Sequence, residues 1–90
     1  MLMRLVVLYR PESEFSRTVE EFVNSYKRWH EGDKLELLNY DSRDGSATAS
    51  LYDVMQQPAI LALRDDGSVL KTWEGSTLPL MDEVASYSFA

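Results

Sequence analysis

The chain has 90 residues, 44% of them hydrophobic, and 9 basic against 15 acidic side chains give a net charge of −6. Such a composition suits one small folded domain, and the acidic balance argues against nucleic acid or anionic lipid as a partner. With no cysteine and a single histidine, neither a disulfide framework nor a Cys/His metal cluster is available.

Met3 to Tyr9 is almost continuously apolar after Arg4, the pattern of a strand buried on both faces. The run is too short for a signal-peptide core, and no segment reaches the ~18 apolar residues of a membrane span. The chain therefore reads as cytoplasmic, a single domain over residues 1–90. From Glu14 to about His30, Phe15, Val19, Phe22, Val23, Tyr26 and His30 recur at helical spacing, with charged residues between them. Gly32 is expected to end this helix. Leu35 to Tyr40 predicts a second strand, parallel to the first, because a helix of ~16 residues spans roughly 24 Å and can return along it.

Asp41 to Gly45 has turn chemistry, and Ser46 to Met55 predicts a short helix with Leu51, Val54 and Met55 inward. After Pro58 come a strand ILAL, a turn DDGS at 65–68 and a partner strand VLKTWE, a hairpin signalled by Asp66-Gly67. Pro79 in a first turn introduces a last helix to about Tyr87, with Leu80, Val84 and Tyr87 facing in. The order is β-α-β-α-β-β-α.

This order, with a proline just before the third strand, resembles the thioredoxin-like superfamily and its glutaredoxin-sized members in particular. VVLYRPESEFS is similar to the glutaredoxin strand and active-site turn, with Pro11 on the turn's proline and Ser13 and Ser16 on its two cysteine positions. YDVMQQPAIL at 52–61 is similar to the family's Tyr-x-Val-x-x-x-Pro and following strand, and DDGSVLKTWEG to the next hairpin. The resemblance implies an α/β three-layer fold with a mixed four-stranded sheet, and a cis peptide bond at Pro58 beside the 11–16 turn. It also implies a chemistry that this chain lacks. Disulfide exchange needs an attacking thiolate and a leaving thiol, so thiol–disulfide oxidoreductase activity is excluded for a cysteine-free chain.

Each candidate site residue has a structural reading beside a functional one. Ser13 stands where its hydroxyl can cap the helix, and Ser16 reads as an ordinary first-turn residue; either can also hydrogen-bond a ligand over the helix N-terminus. Arg10 is a cation that could receive a carboxylate, or a solvated arginine pairing with Glu12 or Glu14. The resemblance makes Gln57, Pro58 and Ala59 the backbone that pairs with an extended peptide or with glutathione, or else a simple strand entry. Gly75, Ser76 and Thr77 correspond to the turn that holds a glutathione carboxylate in glutaredoxins, but without the paired glycines, which favours helix capping. His30 lies a whole helix away from Ser13, so no Ser-His pair is expected. Trp29, Trp73, Tyr9 and Tyr40 read as core and rim residues. The aspartates at 41, 44, 65 and 66 do not match a calcium loop, and no residue cluster implies a cofactor or metal. The leading expectation is a redox-inactive module that binds a protein or extended peptide; the alternative is a domain that binds glutathione without catalysis.

Overall fold

A computed structural model describes residues 3–30, 34–75 and 78–89. Among them the elements run β1 (Arg4–Tyr9), α1 (Ser16–Trp29), β2 (Lys34–Asn39), α2 (Arg43–Leu51), β3 (Ala59–Leu63), β4 (Val69–Glu74) and α3 (Met81–Ala85), with a 3₁₀ turn over Ser86–Phe89. The sheet order is β2-β1-β3-β4. β1 pairs in parallel with β2, Tyr9 opposite Asn39, and antiparallel with β3, Val7 opposite Ile60. β3 and β4 form the antiparallel hairpin.

Helices cover both faces, which is why the two central strands carry no polar alternation. Leu5, Val7 and Tyr9 of β1 and Ile60 of β3 pack with Val19, Val23 and Tyr26 of α1 and with Val84 of α3. Val6, Leu8, Leu61 and Leu63 point the other way, onto Ala49 of α2 and Val54. The edge strands β2 and β4 alternate exposed and half-buried positions instead. Exposed Lys34 and Glu36 lie along the β2 edge, a charge pattern that discourages pairing with another chain. No helix in the described residues is long and apolar enough to cross a membrane.

The strands, the parallel crossover and the hairpin follow the sequence expectations, and the helix ends do not. α1 begins at Ser16, with Phe15 as a cap position that makes no side-chain hydrogen bond. The capping role expected of Ser13 fails because its Oγ donates instead to the Arg10 carbonyl, at 2.8 Å. α1 ends at Trp29, and Gly32 lies outside the described residues.

α2 starts at Arg43, inside the segment read as a turn, because Ser42 caps it by accepting from the Gly45 N–H at 3.0 Å. Gly45 is a packing requirement there, since a Cβ at this position would run into the Asn39 carbonyl. The helix stops at Leu51, and Asp53 then takes a left-handed conformation (φ 55°), tolerated best by Gly, Asn and Asp. Gly45 and Ala49 set the buried face of α2, so Leu51, two residues and about 200° further round, faces solvent, and Met55 lies beyond the helix end. They are 73% and 81% exposed, contrary to expectation, while Val54 is buried.

Pro79 precedes α3 rather than opening it, and Leu80, expected inside, is 77% exposed at the cap position. Val84 is buried, and Tyr87 packs edge-on against Trp73 with ring centroids 5.5 Å apart. Trp29, read as core or rim, is an exposed surface residue at the end of α1.

Candidate functional site

The chain leaves β1 through Arg10, and this residue is anchored on several sides. Its Nε and Nη2 donate to Asp41 Oδ2 and Oδ1 at 2.9 and 3.2 Å. The guanidinium lies 5.3 Å from the Tyr40 ring centroid, within cation–π range. The hydrogen bond to Asp41, helped by that carboxylate's charge, raises the already high Arg10 pKa. The Arg10 carbonyl accepts from Ser13 N at 3.0 Å as well as from the Ser13 hydroxyl, and its N–H donates to Gln57 Oε1 at 3.3 Å. The partner of Arg10 is therefore Asp41 across the parallel pair, neither Glu12 nor Glu14. Its Nε/Nη2 edge, which a ligand carboxylate could take, is occupied from within the chain.

Among the described residues, neither Ser13 nor Ser16 is hydrogen-bonded to a histidine or carboxylate. The Ser13 hydroxyl is a donor to a carbonyl, and the Ser16 N–H closes a further turn onto the Ser13 carbonyl at 3.2 Å. His30, at the far end of the 14-residue α1, packs at a tilt against Tyr26 with ring centroids 4.7 Å apart. A helix of that length spans about 21 Å, so the histidine cannot serve Ser13 as a base.

On the β3 side of the turn, the Gln57–Pro58 peptide bond is cis and Pro58 is buried. Three contacts hold the approach to β3. Glu74 Oε1 accepts from the N–H groups of Met55 and Gln56 at 2.7 and 3.2 Å. Gly75 N donates to the Pro58 carbonyl at 3.0 Å, and the Gln57 side chain reaches Arg10 as above. Ala59 enters the sheet with no exposure. No hydrogen bond among the described residues uses the main-chain N–H or C=O of Gln57.

Arg10, Ser13 and Gln57 thus come together, with Ser16 one turn further on and Pro58 and Ala59 behind. Ser76 and Thr77 lie outside the described residues, but α3 has Leu80 as its cap position with no side-chain cap. Sequence reasoning missed Asp41, Tyr40 and Glu74. The first two were recoverable once β1 and β2 were read as parallel, since a register with Tyr9 opposite Asn39 carries Arg10 to Tyr40 and Asp41. No sequence signal marks Glu74.

A depression of about 370 Å³ lies on the β2 side of the turn, lined by Arg10, Pro11, Glu12, Ser13, Asn39 and Asp41. Its carboxylates differ in one respect. Asp41 is neutralised by Arg10, whereas Glu12 makes no ion pair with a described residue. No group of three His, Asp or Glu side chains among the described residues is arranged to hold a metal.

No protein-family model matches the chain, and no curated protein does either. Solved structures do. Over 96% of this chain and 81% of the other, the fold superposes on oxidised thioredoxin from Plasmodium falciparum with a TM-score of 0.78 at 13% identity. A single-residue mutant of thioredoxin from Halobacterium salinarum gives 0.78 at 20% identity, covering 96% of this chain and 74% of that one. Fasciola hepatica thioredoxin gives 0.74 at 13%, covering 97% and 78%. The chain has the thioredoxin-like fold. It carries that fold without a cysteine, and so without a thiol for disulfide exchange.

Proposed function

We propose that this thioredoxin-like domain is redox-inactive and non-catalytic, and that it works by binding an extended protein segment. The groove comprises the 10–16 turn and the Gln57–Ala59 backbone, with Gly75 beside them; Ser76 and Thr77, expected to contribute, lie outside the described residues. The observation that carries the reading is that no hydrogen bond among the described residues uses the Gln57 main chain. A segment held by Glu74, Gly75 and Arg10 leaves one N–H and one C=O unused among the described residues, beside a buried proline. A peptide strand can pair with these two groups, taking affinity from main-chain hydrogen bonds and selectivity from neighbouring side chains.

The test is a pull-down with the unaltered protein, Pro58→Ala and Arg10→Glu, each first checked for native circular dichroism. The reading expects a partner captured by the unaltered protein and lost by both variants. Capture by all three would remove the groove from consideration. The glutathione reading has less support, because the Arg10 carboxylate-binding edge is taken by Asp41 and the chain is acidic. Amide spectra titrated with millimolar reduced and oxidised glutathione are expected to show no saturable shift at Arg10–Ser16 or Gln57–Ala59.

A further inference from the structure

Resting on the peptide-binding reading, we infer that the segment this groove takes is both basic and apolar: a lysine or arginine seats in the depression beside Glu12, and a large apolar side chain lies against Met55. The first half follows from charge. At the turn, Glu12 and Glu14 are exposed and in no ion pair among the described residues, while the cation of the turn, Arg10, is matched by Asp41. The depression is lined by Glu12 as well as by the paired Arg10 and Asp41, and its roughly 370 Å³ gives room for a long, flexible cationic side chain. The Asn39 Oδ1 in its lining already accepts from the Asp41 N–H at 2.9 Å. An anionic residue there would face uncompensated Glu12 within a chain of net charge −6.

The second half follows from Met55. Met55 is 81% exposed, yet its own N–H is held at 2.7 Å by Glu74. The backbone clamp thus holds an apolar, adaptable residue at the surface, two residues before Gln57, whose main chain makes no hydrogen bond among the described residues. Methionine is suited to such contacts because its unbranched thioether adapts to differently shaped partners.

The topology also sets a spacing. β1 lies between β2 and β3, so the depression and the Gln57 main chain flank the turn on opposite sides. Two inter-strand spacings are about 10 Å, or roughly three residues of extended chain. The cation is therefore expected about three residues from the residue that pairs with Gln57.

An array of random decapeptides probed with the intact protein tests this, with hits then titrated in solution against the labelled protein's amide spectrum. Peptides that shift Gln57–Ala59 are expected to be enriched both in Lys or Arg and in Leu, Ile, Phe or Met, with the cation about three residues from the residue that pairs with Gln57. Glu12→Lys should weaken such peptides by about two- to fivefold, the range of one exposed ion pair, and shift the enrichment toward acidic residues. Met55→Ser should erase the apolar preference. Peptides that shift Gln57 but show no basic bias, or a preference unchanged in Glu12→Lys, would overturn this inference and leave the groove standing. If no peptide shifts Gln57–Ala59, the groove itself fails, and this inference with it.

Discussion

Ile60 and Leu61 are neighbours in the middle of β3 and point to opposite faces of the sheet, and neither has any exposure. A sheet covered on one face would place one of such a pair in water, and truncating that one would cost almost nothing. Here both must cost. Replacing either by alanine removes three carbons, about 2.4 kcal/mol at roughly 0.8 kcal/mol per buried methylene. The cavity left behind adds to this, for a total of about 3–4 kcal/mol, inside the usual range for such changes. A domain of this size holds about 5–13 kcal/mol in all, so each variant should still fold but with a much lower urea midpoint. Urea unfolding of Ile60→Ala and Leu61→Ala, followed by circular dichroism, reads this directly, and an unchanged slope would show that the unfolded state is the same. A loss below about 1 kcal/mol for either one would refute a sheet with helices packed on both faces.

Three further outcomes are expected. Ser42→Ala should lose about 1 kcal/mol in the same assay, since the Gly45 N–H then lacks its capping acceptor. Gly45→Ala should cost more than Ser42→Ala, although alanine is the better helix former, because the added Cβ meets the Asn39 backbone carbonyl; equal costs would mean that the β2–α2 junction yields easily. Burial first, and then the hydrogen bond to Glu20 and that carboxylate's charge, raise the Tyr9 pKa above its ordinary 10.0. The neutral phenol is thus favoured by folding. Its contribution is complete below about pH 10 and fades as pH rises through the folded-state value. Urea midpoints across the alkaline range should fall less steeply in Tyr9→Phe than in the unaltered protein.

How much of this was legible in the sequence differs by element. β1 and β3 announced themselves because both faces are buried, and the hairpin because Asp66-Gly67 satisfies one turn geometry, with Gly67 at φ 89° and the Asp66 carboxylate accepting from Ser68. The start of α2 was obscured by a glycine. In DSRDG the residue that suggests a turn is in fact inside the helix, where contact with Asn39 leaves no room for a Cβ. Leu51 and Met55 fit an inward helical stripe on paper, but the buried face of α2 runs through Gly45 and Ala49, which leaves Leu51 outside it, and Met55 lies past the helix end. At the site, local sequence located the turn and the proline. The contacts that fix them, Arg10 to Asp41 and Glu74 to Met55 and Gln56, join residues 31, 19 and 18 positions apart. Such pairs depend on strand register and on side-chain conformation, and neither is written in any local pattern.

The clasp at Ser13 has one more consequence. A turn closed by two cysteines exists in two covalent forms, and which one is populated depends on the thiol potential around it. Here the closure is made by the Ser13 N–H and hydroxyl on one carbonyl, at 3.0 and 2.8 Å. These bonds contain no oxidisable atom. The closure of this turn is therefore the same in a reducing and in an oxidising compartment, and its shape carries no record of the redox state of the cell.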